Sequence, residues 1–322
     1  MLAGYAARTD REDPLSCLVV GEIDPPPTPD SWVTVEVRAA ALNHHDLWAL
    51  RGQALRADRV PMILGTDAAG VTADGREVVV HAVIADRAAG RGDETLDPER
   101  TILSELYPGT LAEYVRVPAA NVVDKPSWLA WEEAACLPTA WLTAFRMLAT
   151  KSGMPAGGTV LVQGAGGGVT TAAIVLAKAM GYTVWVTART EHKRRWAMQI
   201  GADEVFETGT RLPAAVDSVM ETVGAATWDH SLRSLRPGGS VVVSGATSGA
   251  NPPADLNRVF FKQLSIVGST MGTVDELERM IALLRVTGVR PIVDRVLPFV
   301  SIAEGLTALE TGDVLGKIVL TL

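Results

Sequence analysis

The stretch Gly157-Gly158-Thr159-Val160-Leu161-Val162-Gln163-Gly164-Ala165-Gly166-Gly167-Gly168-Val169-Thr170 constrains the chain more than any other, because few backbone paths accommodate it. Val160 to Val162 is a short apolar run typical of buried parallel strands. Beyond the glycines, Ala172, Ala173, Val175, Leu176 and Ala179 recur at helical spacing, with Lys178 as the one charge before Gly181 ends the helix. A strand, a glycine turn and a helix start are therefore expected in succession. Glycines allow a sharp turn and close approach to a ligand, and the amide N–H groups of a helix N-terminus stabilise a pyrophosphate. Alone, such a turn is weak evidence, and a plain flexible loop joining strand to helix is the alternative.

The next strand gives it direction. Thr183-Val184-Trp185-Val186-Thr187 is apolar and β-branched, and a dinucleotide site places the side chain that meets the adenosine ribose at its end, ~20 residues past the glycines. No acid stands there to bond a ribose 2′-hydroxyl. Thr187, Arg189, Thr190 and Lys193 do, followed by Arg194 and Arg195. Guanidinium groups bind phosphate oxygens through bidentate, charge-assisted hydrogen bonds, so the pattern favours NADP(H) over NAD(H). The alternative is a solvated basic face on the helix expected over Glu191 to Ile200.

Composition sets the outer limits. With 322 residues, 48% hydrophobic and 20% charged, the chain buries a large core and suffices for two domains. A net charge of −8 argues against nucleic acid or an anionic membrane surface as the main partner. Arg8, Asp10, Arg11, Glu12 and Asp13 precede any apolar run, which does not read as a secretory signal, and a cytoplasmic location is expected. Cys17 and Cys136 are read as small buried hydrophobes.

The first third is β-rich. Trp32 to Arg38 alternates with period two after the Pro25-Pro26-Pro27 loop, Val71-Thr72 and Glu77 to Val80 flank an Asp74-Gly75 turn, and Thr110 to Val117 alternates up to Pro118. One short helix is expected near Asp46 to Arg51. Ala85 to Gly109 lacks apolar periodicity and reads as a long functional or mobile loop. From about Asp124, helices and strands alternate: a helix over Glu132 to Lys151 broken at Pro138, then strands around Val160, Val184, Val205, Val219, Val241 and Ile266. That order predicts an α/β fold with a six-stranded, doubly wound parallel (Rossmann) sheet. The domains expected are 1–123 completed by 271–322, and 124–270. Gly224 and Gly245 end strands at the carboxyl edge, where ligands lie in such sheets.

Several ordered motifs carry a family resemblance: Asn43-His44-His45-Asp46, Leu64-Gly65-Thr66-Asp67-Ala68-Ala69-Gly70, Gly109 to Tyr114, Ala134 to Ala144, the glycine loop, and Gly316-Lys317-Ile318-Val319. Together they resemble the medium-chain dehydrogenase/reductase superfamily, most closely its quinone oxidoreductase and alcohol-dehydrogenase-like branch. The resemblance implies a chaperonin-10-like (GroES-like) first domain, an active site in the cleft between domains, and a homodimer or homotetramer through the strand Leu264 to Thr270. It also implies cofactor contacts from Thr143, Ala165, Gly166, Gly167, Gly168 and Val169, and from Ser244, Gly245 and Ala246, beside Thr187, Arg189, Lys193 and Gly224.

The departures bear on chemistry. The family's zinc-dependent members hold catalytic metal with a cysteine before x-x-Asp, a His-Glu pair after glycine, and a later cysteine or acid. Those places are Asn43, Thr66-Asp67 and Thr139 here, and neutral amide and hydroxyl oxygens are poor zinc ligands, so no metal site is expected. Thr170 stands where the loop normally ends in glycine. A zinc-independent, NADP(H)-dependent oxidoreductase acting on a quinone, enone or related small carbonyl is expected. Asn43 is the expected donor to the carbonyl oxygen, and His45, at the family's hydroxyl relay position, the expected acid. Asp46 is a further candidate, with pairing to Arg51 or helix capping as its structural alternative, and Tyr107 is a candidate pocket residue. An alcohol or aldehyde oxidoreductase, or a nucleotide-binding redox sensor or structural protein with little turnover, stays open.

Overall fold

The computed structural model describes residues 1–25, 29 and 31–322, so the second and third prolines of the expected Pro25-Pro26-Pro27 loop lie outside the described residues. Two units are present: Met1–Leu142 with Met271–Leu283 and Arg290–Leu322, and Thr143–Thr270 with Leu284–Val289. The boundary expected at residue 124 lies later. The helix Trp131–Ala134 packs on the strands Trp32–Ala41 and Ala68–Thr72, which places the segment up to Leu142 with the first unit. Among the described residues no helix is long and apolar enough to cross a membrane.

The first unit is organised around Trp32–Ala41, whose inward positions Val35 and Val37 are fully or almost fully buried. The first half of this strand pairs antiparallel with Tyr114–Pro118 and its last residues with the closing strand Lys317–Thr321. Its other edge carries Ala68–Thr72, then Glu77–Val80 and Val122–Asp124. Lys317–Thr321 in turn pairs in parallel with Val293–Pro298. The alternation expected from Thr110 onward becomes a strand only at Tyr114, because Thr110 and Leu111 bond to the carbonyls of Gly65 and Leu64. Side chains of Val35, Val37, Leu47, Leu50, Val78, Val80, Leu111, Ile302, Leu306 and Ile318 share one apolar core.

The segment Ala85 to Gly109 is built on aspartates. Asp86 accepts from Ala88 N, Asp93 from Thr95 N, and Asp97 from both Asp86 N and Glu99 N, each aspartate folding backbone onto its own side chain. A two-stranded pair, Val83–Ile84 with Thr101–Ile102, closes it.

The second unit carries six parallel strands in the order Glu204–Glu207, Thr183–Ala188, Thr159–Gln163, Val216–Glu221, Leu235–Val243 and Ser265–Gly268. All six expected strands are present. The order reverses direction between Thr159–Gln163 and Val216–Glu221, which opens a crevice at their carboxyl ends. The expected helix Glu132 to Lys151 is broken more heavily than by one proline: π-helical turns at Leu137–Trp141 and Met147–Lys151 flank a short α-helix, Leu142–Arg146.

Gly70 sits where two strands of the first unit approach closely, and a Cβ there would lie 2.1 Å from the Glu36 carbonyl oxygen. The backbone cannot yield without breaking the ladder to Trp32–Ala41. Gly70→Ala is therefore expected to lower stability by about 2 kcal/mol or more, as overpacked cores do. Urea unfolding followed by circular dichroism measures it, and an unchanged midpoint would show that the strands have slack at this point.

Candidate active site

The cluster in the first unit starts from the closing strand. Lys317 is 2% exposed, and its Nζ donates to Leu42 O (2.7 Å), Asn43 Oδ1 (2.6 Å) and Asp67 Oδ2 (3.0 Å). An ammonium has three hydrogens and no lone pair, so this donor set is complete. Asn43 is thereby oriented, with its oxygen toward the ammonium and its Nδ2 toward Asp67 Oδ2 (2.9 Å), Thr66 Oγ1 (3.1 Å) and, more weakly, Ala41 O (3.4 Å). The hydroxyls of Thr66 and Thr139 lie 3.0 Å apart. Asn43, Thr66, Asp67 and Thr139 thus do meet, as their resemblance to metal-ligand positions implies, but around a lysine ammonium. Both amide hydrogens of Asn43 are donated within the protein, which corrects its expected role as direct donor to a substrate oxygen.

The two histidines diverge, as adjacent residues on one helix must. His45 Nε2 lies 3.1 Å from Glu105 Oε1, and its Nδ1 lies 3.4 Å from Ser104 Oγ. Burial pushes the Glu105 carboxyl upward, yet its bonds with His45, Ile102 N and Thr101 hold it below its ordinary value. Burial, with the charges of Lys317 and Arg51, lowers the pKa of His44 and keeps it neutral. Asp46 does not pair with Arg51, which binds Glu310 instead (2.5 Å). Tyr107 packs edge-on against Trp32 with ring centroids 4.8 Å apart, and both line a cavity of about 300 Å³ that shares no residue with the Lys317 cluster. Cys136 is buried, its thiol pushed up by desolvation, and bonds Glu132 O.

In the second unit the glycine loop runs from Gln163 into a helix, Gly168–Ala179. Gly164 and Gly166 have φ of +84° and +101°, values a side chain rarely adopts. Gly167, Gly168 and Val169 are half-buried, while Ala165 and Gly166 are buried. Thr170 fits in place of a glycine because it is 7% exposed and turns its hydroxyl back onto Gly167 O (3.0 Å). The first N–H groups of this helix face the loop without intrahelical acceptors, as at any helix start. Arg189 is exposed just past the strand Thr183–Ala188, and Lys193 is half-buried on the next helix.

Thr187 differs from expectation. It is fully buried, donating to Gln163 Oε1 (2.5 Å) and accepting from Gly164 N (3.4 Å), so it supports the loop from beneath and offers no hydroxyl to a ligand. Gln163 continues to His230 and Ser231, and Ser231 to Glu221. Glu221 is fully buried and accepts from Val223 N, Gly224 N and Thr227, fixing the turn that holds Gly224. Ser244 Oγ lies 3.0 Å from Met147 Sδ, and Gly245 and Ala246 are half-buried beside it. Thr143 is 6% exposed. Sequence reasoning missed Lys317, Glu105, Gln163 and Glu221; an acid closing an apolar strand was the one signal available for the last.

Residues 29–127 match the alcohol dehydrogenase GroES-like domain family, and residues 168–285 the zinc-binding dehydrogenase family. A quinone oxidoreductase of Lama guanicoe is 28% identical over 90% of this chain and 88% of its own. The crystal structure of an NAD-dependent alcohol dehydrogenase is 35% identical, covers all of both chains and has a TM-score of 0.89. The 2-octenoyl-CoA carboxylase reductase CinF, solved with NADP and 2-octenoyl-CoA, is 25% identical over 99% of this chain and 87% of its own, with a TM-score of 0.88.

Asp46 gives this cluster a measurable pH signature. It closes a capping box by accepting from Asn43 N (2.8 Å), while Oδ1 is buried without a partner. Burial raises its pKa from 3.8 to about 6, against the opposing bond from Asn43 N and the charges of His45 and Lys317. A carboxyl with a raised folded pKa contributes stability fully below its unfolded value, and loses it as pH rises through the folded one. Asp46→Asn keeps an acceptor for Asn43 N and does not titrate. The variant's stability relative to the parent is expected to rise by up to about 3 kcal/mol between about pH 4 and pH 7, measured by urea unfolding. A pH-independent difference would mean that the carboxyl ionises at its ordinary pKa.

Proposed function

Because the chain belongs to the medium-chain dehydrogenase/reductase superfamily, we propose that it is an NADP(H)-dependent, zinc-independent oxidoreductase that reduces a quinone, an enone or a related small conjugated carbonyl. The observation that carries this reading is the Lys317 ammonium, seated on Asn43 and Asp67 where the family's metal donors converge. Zinc needs several deprotonated, electron-donating ligands at one point. Here one carboxylate oxygen, already engaged by the ammonium and by an amide, stands with an amide and two hydroxyls. A further cation there would face the lysine charge at close range. The donor set does not fit zinc.

The residues present do fit a nicotinamide dinucleotide. The loop Ala165 to Val169 and the start of its helix would hold the pyrophosphate, Gly224 and Ser244 to Ala246 would line the cofactor at the carboxyl edge of the sheet, and Thr143 is a further contact. Arg189 and Lys193 hold the adenosine 2′-phosphate, supported by the absence of an acid at the end of Thr183–Ala188. When bound, the cofactor supplies the hydride. The protein's own tasks are then to orient the acceptor, to stabilise the oxygen that gains charge, and to deliver a proton. His45 delivers it, held in place by the 3.1 Å contact of its Nε2 with Glu105 Oε1. Conjugated acceptors suit such a site because they take hydride without a metal to polarise them, and CinF, solved with an enoyl thioester, supports the class. The strand Ser265–Gly268 ends its sheet with Ile266 47% exposed, which supports pairing with a second copy through Leu264 to Thr270.

The 35% identical NAD-dependent alcohol dehydrogenase favours a second reading, in which NAD(H) serves and an alcohol is oxidised. One assay separates them. NADPH oxidation at saturating quinone or enone is expected to exceed both NADH oxidation and alcohol-dependent NAD reduction, and to survive prolonged chelation. Arg189→Asp is expected to move the ratio of NADPH to NADH affinity toward NADH by at least about tenfold, through loss of a charge-assisted phosphate contact. An unchanged ratio would place the 2′-phosphate elsewhere, and activity lost to chelator and restored by zinc would overturn the metal-free reading.

A further inference from the structure

Three arginines follow the strand Thr183–Ala188, and each has a different environment. Arg189 is exposed, and its guanidinium makes no bond among the described residues. Arg195 faces Glu191, one helical turn earlier, at 3.8 Å. Arg194 is half-buried and reaches back across the start of the helix Glu191–Gln199, donating from Nη1 to Ala188 O (2.9 Å) and, more weakly, to Arg189 O (3.4 Å). Nη1 is thereby committed to the backbone at the end of the strand. The guanidinium is planar, so holding one nitrogen and the stem fixes the whole group, and its Nε and Nη2 are left without an acceptor among the described residues. Those two nitrogens form the side with which this chain grips carboxylates elsewhere: Arg56 on Asp58 and Arg290 on Glu133 each use Nε and Nη2. Thr187, one residue before the Ala188 carbonyl, is paired with Gln163, the last residue before the glycine loop. The held guanidinium therefore stands at the carboxyl edge of the sheet, beside that loop.

We infer that Arg194, more than Arg189, sets the preference for a nucleotide carrying a 2′-phosphate: its Nη1 is anchored on the strand end, and its Nε and Nη2 take two oxygens of the phosphate side by side. The inference deepens the NADP(H) reading above and rests on it. A phosphate offers this side of the guanidinium several charged acceptors, and a bidentate, charge-assisted pair adds direction as well as strength. A ribose 2′-hydroxyl offers one neutral oxygen. The two arginines also differ in what ordering them costs. Arg189 is exposed and unbonded, so a ligand that engages it must first immobilise a long side chain, whereas Arg194 is already held by two carbonyls and loses less freedom when the phosphate arrives. Anchor and fork also require a guanidinium. A lysine ammonium at the same position presents one point charge, which either stays on Ala188 O or turns to the phosphate.

The test measures, by isothermal titration calorimetry on the full chain, the binding of 2′,5′-ADP and of 5′-AMP, which differ only in the 2′-phosphate. Wild type is expected to bind 2′,5′-ADP at least about tenfold more tightly. Equal affinities would overturn the NADP(H) reading and the inference with it. Given that preference, Arg194→Met is expected to weaken 2′,5′-ADP by at least about tenfold while 5′-AMP stays within about twofold of wild type. Arg194→Lys, which keeps the charge and loses the fork, is expected to remain at least about fivefold weaker than wild type for 2′,5′-ADP. Arg189→Met, which removes a charge without adding an acid, is expected to cost about threefold or less, the scale of an exposed charge contact. Equal weakening of both nucleotides in Arg194→Met would mean that the residue only braces the turn between strand and helix, and would overturn the inference. It is overturned as well, with the NADP(H) reading left standing, if Arg189→Met costs more than Arg194→Met or if Arg194→Lys binds 2′,5′-ADP as wild type does.

Discussion

The ion pair between Lys317 and Asp67, with the lysine 2% and the aspartate 0% exposed, is the interaction on which the first unit's site depends. Burying two charges is costly, and the attraction between them offsets that cost only if the remaining donors and acceptors are satisfied as well. The lysine side meets this condition through Leu42 O and Asn43 Oδ1, while Asp67 keeps Oδ1 without a partner. The arrangement is therefore specific more than stabilising. It ties the start of the closing strand Lys317–Thr321 to the end of Trp32–Ala41 and the start of Ala68–Thr72, three strands already adjacent in one sheet. The sheet register brings the ammonium to Asn43, and the ammonium sets which way the Asn43 amide faces.

A similar polar line runs under the cofactor loop of the second unit. Thr187, Gln163, Ser231 and Glu221 are all buried and joined by hydrogen bonds between neighbouring parallel strands and the helix Trp228–Ser234. The line ends on backbone N–H groups at Gly164 on one side and at Val223 and Gly224 on the other. Both turns that meet the crevice are thus held from below. Satisfied buried networks of this kind rigidify what they touch, and a phosphate loop gains from being pre-formed.

Most of the architecture was legible because it follows from period and punctuation. All six parallel strands of the second unit and the helix at Asp46 came from apolar runs and glycine stops, which tertiary packing had no reason to override. The parts that escaped depend on side-chain hydrogen bonds across long sequence distances. Lys317 was visible inside Gly316-Lys317-Ile318-Val319, yet nothing local reveals that its head group is buried beside residue 43. Asn43 was rightly placed in the cluster but assigned a free donor, since the claim of Lys317 on its oxygen cannot be read from the chain. Thr187 looked like a ribose contact because it ends the correct strand; alternation of side chains across the sheet turns it inward instead. The Ala85 to Gly109 segment showed no periodicity because aspartates, not apolar residues, fold it.

The contrast between a metal and a lysine follows from how each presents charge. A zinc ion with an open coordination position accepts the substrate oxygen's lone pair directly and polarises even an isolated carbonyl. The Lys317 ammonium has no open position, because all three of its hydrogens are committed inside the protein. Its charge acts through the groups it orients, first of all the amide of Asn43. A charge held in this way has a fixed direction, and it involves neither ligand exchange nor a bound water to ionise. Under the proposed function, acceptors whose own conjugation spreads the incoming electron pair suit such a site, because they depend least on a metal to polarise them.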